Sequence, residues 1–336
     1  MVKETHDGEY LRMVQTVLEQ EQFEKENRTN TPTIGITGYK AEYPMDEAYY
    51  EEDGSLVIPD FPLLTTKKVF WKGVVAELFW LLNGQTNILF LEKNGVHIWR
   101  EWPMAAYNKA HDEEDHLTKK QFTDKILNEN GFAERWGDLG PVYGKQWRAW
   151  DQHVNNTIQP IDQVLLAVNT LRHSPSSRRN IISSWNVAEI EDMQKTGLPP
   201  CHTLFQFIAV PDEDAGYILD LVLYQRSLDV FLGAPFNIAS YSLLLCMFAE
   251  HVGMLPGTFI HMIGDCHIYT NHIPQMKEQI QREPKSAPTV VIKPGLMQKI
   301  LELPVACPTL DFEELNKLIL LEGYESHDAI KGEVAV

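Results

Sequence analysis

Tyr224-Gln225-Arg226-Ser227-Leu228-Asp229-Val230-Phe231-Leu232-Gly233-Ala234-Pro235-Phe236-Asn237 is the stretch on which the fold turns. It continues a strand candidate, YILDLVLY at 217–224, and leads toward a long apolar helix, Tyr241 to Val252. A basic side chain, a hydroxyl and two carbonyl-bearing side chains therefore converge where a strand passes into a helix. Arg226 and Ser227 suit a phosphate monoester, the guanidinium through charge-assisted bonds and the hydroxyl as a further donor. The competing reading is an ordinary helix start, with Asn237 or Ser240 capping the helix that follows. Taken alone, the stretch does not separate the two.

Just upstream, TLFQFIAV (203–210) and YILDLVLY are strand candidates joined by the turn-forming PDEDAG. A helix over 161–172 leads into Ser176-Ser177-Arg178-Arg179 and then a strand-like NIISSWNV at 180–187. Downstream, GDCHIYTNH (264–272) on extended backbone puts His267 and Tyr269 on one side, where both could grip a ligand. A metal site of Cys266, His267 and His272 is the rival reading. It has no HExxH or paired CxxC behind it, and adjacent side chains on a strand diverge.

Nearer the N-terminus, residues 9–27 alternate at helical spacing, RTNTPT at 28–33 is a polar turn, and Asp53-Gly54 signals a hairpin. Lys68 to Leu82 is apolar almost all round and predicts a buried helix ending at Asn83-Gly84. HDEEDHLTKK (111–120) reads as a surface insertion with a solvated charge run, placed before another amphipathic helix. From about 296 the chain mixes short helical pieces and ends in EVAV. With no internal repeat or low-complexity linker, the expectation is one α+β domain over 1–336, with a surface insertion around 103–136.

Composition narrows the function classes. The 336 residues are 44% hydrophobic and include 8 Trp, 14 Phe and 12 Tyr, enough for a substantial core. The most apolar stretch, Tyr241 to Met254, is broken by Glu250 and His251, which argues against a membrane span. The start, MVKETHDGEY, lacks the layout of a signal peptide, so a cytoplasmic location is expected. A net charge of −18 repels nucleic acid at long range, while a few arginines can still make a local pocket for a small phosphorylated substrate. Four cysteines without CxxC spacing are too sparse for a disulfide framework.

One cysteine stands out, in Leu198-Pro199-Pro200-Cys201-His202. Two prolines fix the backbone ahead of the thiol, and a strand candidate follows. A buried, inert cysteine is the plain alternative. A cationic neighbour would instead lower its pKa and make thiolate available as a nucleophile.

LPPCH, QRSxDVFLGxPFNIASY and GDxHxYxNH, in this order, resemble the thymidylate synthase family. So do FPLLTTKK (61–68), ELFWLLNGQTNI (77–88), NGVHIW (94–99), GDLGPVYGKQWRAW (137–150) and SSRR (176–179). The resemblance runs from about Tyr10 to Val336. It implies a large mixed β-sheet packed by helices, with the sheet at the interface of a homodimer. It also implies transfer of a one-carbon unit to C5 of dUMP from 5,10-methylenetetrahydrofolate, with no metal.

By the same resemblance Cys201 is the nucleophile that adds to C6 of the uracil. Glu77, Tyr143 and His202 belong to a polar network, and Arg226, Asp229 and Asn237 complete the catalytic set. The phosphate falls to Arg28, Arg226 and Ser227, with Arg178 and Arg179 reaching across from the other subunit. Gln225 joins the nucleotide-binding set, and His267 and Tyr269 hold the ribose hydroxyl. An amide at Asn237 can donate to O4 and accept from N3–H, which matches uracil, whereas an Asp would suit cytosine. Lys67, Ile98, Trp99, Trp102, Asp229, Leu232, Phe236 and Val336 match folate-contacting positions, and residues 333–336 match a closing tail.

Four positions depart from the family pattern, two of them in one loop. Its glycine-rich Arg-Thr-Gly-Thr-Gly-Thr loop reads RTNTPT here, which stiffens it. Arg100 stands where an aspartate is usual, and Ala234 where leucine is. These departures keep other outcomes in view. One is a dUMP hydroxymethylase, in which water captures the intermediate that hydride would otherwise reduce. Another is a silent nucleotide- or folate-binding relative, and a third a metal-dependent hydrolase.

Overall fold

Alternating burial shapes the central sheet of this computed structural model, whose described residues are 5–26, 31–155, 157–196 and 198–333. Arg28 with its loop neighbours Thr29 and Asn30, and Val336 with the end of the tail, lie outside them. Strands β1 (Phe23–Lys25), β2 (Thr33–Pro44), β3 (Tyr49–Tyr50), β4 (Leu56–Ile58), β5 (Trp150–Val154) and β6 (Thr157–Ile161) come from the first half of the chain. The second half supplies β7 (Ile181–Ser183), β8 (His202–Asp212), β9 (Gly216–Asp229), β10 (Leu255–Tyr269), β11 (Thr289–Ile292) and β12 (Ile319–Glu322). Six of these form a sheet in the order β1-β2-β10-β9-β8-β7, parallel between β9 and β10 and antiparallel elsewhere. This is the large mixed sheet that the resemblance implied.

Along β8, Phe205, Phe207 and Ala209 are buried, whereas Leu204, Ile208 and Val210 are exposed, the period of two expected of a strand. The buried face carries helix α1 (His6–Glu19) and the helix over Gly233–Val252, on which α2 (Trp71–Leu82) packs in turn. Asp7 pins α1 by accepting from Thr65 N and Oγ1 at 2.9 and 2.8 Å, and from Thr66 N and Oγ1 at 2.9 and 2.7 Å. The opposite face is apolar and exposed at Leu204, Ile208, Val210, Tyr224 and Met262.

Between α2 and β5 lie α3 (Leu89–Lys93), α4 (Glu101–Lys109), α5 (Lys119–Asn128), α6 (Phe132–Trp136) and α7 (Gly144–Arg148). The acidic residues 112–115 are exposed, as a solvated charge run should be. The rest of residues 103–136 joins the core through an aromatic group, with Tyr107 5.0 Å from Trp136 and 5.5 Å from Phe132. Arg100 turns toward this unit, donating to Thr123 Oγ1 at 3.2 Å. The buried helix over 68–82 is α2, and the expected hairpins at Asp53-Gly54 and PDEDAG are formed.

Four boundaries differ from expectation. The helix expected over 9–27 stops at Glu19, because Phe23 leaves the helical face to pair with Gly35 of β2. NIISSWNV is strand only over 181–183; Asn186 then accepts from Ala188 N and opens a short turn. The tail contributes β12 besides short helices at Leu296–Glu302 and Phe312–Asn316.

The fourth difference matters most. After α8 (Gln163–His173) and α9 (Ile190–Thr196), the long apolar helix α10 runs Gly233–Val252, eight residues earlier than its apolar run suggests. It serves as the crossover that parallel β9 and β10 require. Leu232 is its N-cap residue and no side chain caps it, so Asn237 and Ser240 sit inside the helix. The capping reading of those two residues falls, and the Asn237 amide is left to other partners.

Candidate active site

The nucleophile candidate sits at the entrance to β8 and is positioned through its backbone. Cys201 N donates to Tyr143 Oη at 2.9 Å, and Cys201 O accepts from Arg226 N at 2.9 Å. The Arg226 guanidinium donates to the carbonyls of Pro200 (Nε, 2.9 Å) and Pro199 (2.8 Å). The two prolines set the chain direction, and the arginine holds both their carbonyls, which ties its cation to the segment that carries Cys201. Cys201 is partly exposed; Cys246, Cys266 and Cys307 are buried, and none of the four is in a disulfide. Burial pushes the Cys266 thiol up to about 12, which removes it as a ready thiolate.

Tyr143 has φ 24°, in the region that favours glycine. Such backbone costs about 1–3 kcal/mol and persists only where the surroundings impose it. The cause is next door: a Cβ on Gly144 would lie 2.9 Å from both Leu81 O and Gln85 O, so α7 begins in contact with the end of α2. That contact brings Tyr143 to the helix that carries Glu77. Trp99 lies between them, 5.8 Å from the Tyr143 ring, and its Nε1 donates to Glu77 Oε1 at 2.6 Å. Removal from water pushes the Glu77 carboxyl up to about 7, against the opposing effect of the Trp99 bond.

His202 packs 5.4 Å from the Tyr143 ring and edge-on to Tyr241 at 5.1 Å. Burial pushes its imidazole down to about 4, with a hydrogen bond to Asn237 working the other way, so it is neutral at pH 7. Asn237 Oδ1 accepts from Gln225 Nε2 at 3.1 Å. Asp229 Oδ1 accepts from Phe231 N and Leu232 N, shaping the turn into α10. On neighbouring β10, His267 pairs with Asp229 and Asp265 with Ser227. His267 Nδ1 is 2.9 Å from Asp265, and its ring is edge-on to Tyr269 at 5.3 Å.

The other expected positions divide. Ile98, Trp99, Trp102, Leu232 and Phe236 are partly buried at the edge of the core. Trp102 Nε1 is buried without a hydrogen-bond partner among the described residues. Lys67 is buried, with its ammonium 3.8 Å above the Phe231 ring and donating to Phe231 O. Arg178 and Arg179 are exposed in the turn before β7, engaged through their backbone by Gln206 and Ser177. The structure thus gathers Cys201, Glu77, Tyr143, His202, Gln225, Arg226 and Asn237 into one group, and sets Arg178 and Arg179 on the surface. As for the metal alternative, no three His, Cys, Asp or Glu side chains among the described residues are grouped to hold an ion.

The thymidylate synthase family model matches residues 8–336. The chain belongs to the thymidylate synthase family. It is 42% identical to the thymidylate synthase of Mesoplasma florum over 328 residues, covering 98% of this chain and 99% of that one. Identity to the Mycoplasma pneumoniae thymidylate synthase is 40% over 331 residues, with 98% and 99% covered. To that of Mycoplasma genitalium it is 41% over 312 residues, with 93% and 94% covered.

Three neighbours of this thymidylate synthase family site receive no role from the sequence alone. Trp185 lies 5.5 Å from the Arg226 guanidinium, in a segment that reads as strand. Tyr241, the last residue of the QRSxDVFLGxPFNIASY motif, supports the His202 ring. His261, fully buried on β10, reaches Gln225. Trp185 and His261 touch the site from segments remote in sequence, so local spacing could not reveal them, whereas Tyr241 lies one helical turn from Asn237 on α10.

Proposed function

We propose that this chain converts dUMP to dTMP with 5,10-methylenetetrahydrofolate, through a covalent bond from Cys201 to C6 of the uracil. The observation that carries the reading is the Cys201 backbone held between Tyr143 and Arg226, with a guanidinium tied to the two preceding carbonyls. A cation near a thiol favours the nucleophilic thiolate, and the Arg226 guanidinium is fixed on the segment that carries Cys201. The thiolate adds to C6, the C5–C6 electron pair moves onto O4, and C5 becomes the nucleophile. After transfer, loss of the C5 proton and expulsion of the thiolate restore the C5–C6 double bond. One difficult step becomes two easier ones.

Residue roles follow from the same reading. Asn237 reads the uracil edge with Gln225 behind it. Arg226 and Ser227 take the phosphate, joined by Arg28 and by Arg178 and Arg179 of a second subunit, while His267 and Tyr269 take the ribose. The surface position of Arg178 and Arg179 and the exposed apolar sheet face support a homodimer with shared sites. Glu77, with its carboxyl near 7, and neutral His202 with Tyr143 are suited to moving protons near O4.

The folate would lie against Ile98, Trp99, Trp102, Leu232 and Phe236, with Asp229, Lys67 and Val336 at its margins. The buried Trp102 N–H without a partner and the partly open indole of Trp99 fit a flat heterocycle with acceptor atoms. When bound, this co-substrate supplies the carbon and the hydride. No helix among the described residues is long and apolar enough to cross a membrane.

Relatives at about 40% identity over nearly their whole length bear the name thymidylate synthase, which favours methylation over hydroxymethylation. The mass of the nucleotide formed from dUMP and methylenetetrahydrofolate decides between them. A methylated product with dihydrofolate is expected; a hydroxymethylated one with tetrahydrofolate would replace this reading.

A further inference from the structure

A chain of hydrogen bonds runs into the site from the far side of β9. His261 is fully buried on the covered face of β10, between Leu223 of β9 and Ala41 of β2. Its Nε2 is 2.8 Å from Gln225 Oε1. Gln225, 2% exposed, uses its amide nitrogen twice, 3.0 Å to Ser227 O and 3.1 Å to Asn237 Oδ1.

The direction of each bond is forced. A backbone carbonyl only accepts, so the nitrogen end of Gln225 faces Ser227. The oxygen end is then presented to His261, which must donate from Nε2. Burial, and then neighbouring His202, push the His261 imidazole down to about 3, so the ring is neutral with a single N–H. Its Nδ1 has no hydrogen-bond partner among the described residues. The second N–H of Gln225 needs an acceptor, so Asn237 turns Oδ1 toward it and holds its NH₂ on the other side.

We propose that His261 is a positioning residue for pyrimidine selectivity: by donating to Gln225 it fixes the Asn237 amide in the orientation that reads uracil and rejects cytosine. This rests on reading the site as a dUMP site. Uracil presents an accepting O4 and a donating N3–H, and cytosine presents the reverse at both atoms. A reversed Asn237 amide would suit cytosine, but it would set its N–H groups against the N–H of Gln225. Without the His261 donor, Gln225 Oε1 is a buried acceptor with no partner. It regains one only by rotating, and rotation removes the Gln225 bond that orients Asn237, leaving His202 as its remaining partner.

The test is the affinity of the full-length protein for dUMP and for dCMP, measured by calorimetry. Native protein is compared with His261→Phe, which keeps a ring without a donor, and His261→Gln, which supplies an amide N–H. The dUMP preference falls about tenfold in His261→Phe, the scale of one orphaned buried acceptor, and is largely kept in His261→Gln. An equal fall in both affinities, leaving the ratio native, would show a merely structural role and overturn the proposal. If His261→Phe does not fold, neutron diffraction of the native protein locates the ring proton; Nε2 is expected, and a proton on Nδ1 alone overturns it. Native protein that binds no dUMP would remove the underlying reading instead, a result seen before any variant is compared.

Discussion

Cys201 sits where two prolines, a tyrosine and an arginine fix the backbone, so its replacement removes a reactive atom and little else. Cys201→Ala is expected to abolish dTMP formation while dUMP binding stays measurable by calorimetry; turnover at the native rate would contradict covalent catalysis. Asn237→Asp should shift binding toward dCMP, because a carboxylate accepts from the cytosine amine and has nothing to donate to O4. Glu77 yields a pH prediction. Its folded-state pKa is raised, from 4.5 to about 7, so between those values the folded protein binds more protons than the unfolded chain. Stability is then lost as pH rises through that window, by roughly 3 kcal/mol at the upper end. Glu77→Gln should therefore melt at nearly the native temperature at pH 5 and above it at pH 8; equal melting temperatures at pH 8 would show that the carboxylate is not penalised.

Elements place these residues by close approach. The start of α7 on the end of α2 brings Tyr143 and Glu77 together, and the α10 crossover puts Asn237 beside Gln225 of β9. A third approach involves the tail. His272 Nε2 is 3.0 Å from Glu333 O, and a Cβ on Gly332 would lie 2.4 Å from the Phe231 ring and 2.9 Å from His272 Nε2. Gly332→Ala should lift this segment away from Phe231. Steady-state kinetics should then show a higher KM for the folate and a lower kcat, with dUMP affinity unchanged. Native values would mean that the Phe231 and His272 rings give way instead.

At the scale of the whole molecule, the sheet leaves Leu204, Ile208, Val210, Tyr224 and Met262 on an open face, with Arg178 and Arg179 at the edge that β7 forms. Apolar side chains on one flat surface suit a second copy of the same surface. Mixing Cys201→Ala with Arg178→Ala should restore part of the activity, because one of the two sites in a hybrid dimer then has both its own cysteine and the partner's arginine. No recovery in a mixture that sedimentation shows to be dimeric would count against arginines shared between subunits.

What the sequence determined by itself is the local chemistry. Proline pairs, turn residues and apolar periods fix backbone and burial within a few residues, so LPPCH, the PDEDAG hairpin and the buried helix ending at Asn83-Gly84 were legible from the chain alone. The Cys201, Arg226 and Asn237 candidates came from motif order, and contacts in the folded chain bring them together. Only the tertiary structure decided that α10 begins at Gly233, because a crossover between parallel strands sets that start, not a cap. It alone bends Tyr143 into a left-handed backbone and joins His261 to Gln225 across 36 positions. Such contacts depend on strand register and helix approach, which sum over the whole core and leave no trace in any short window of sequence.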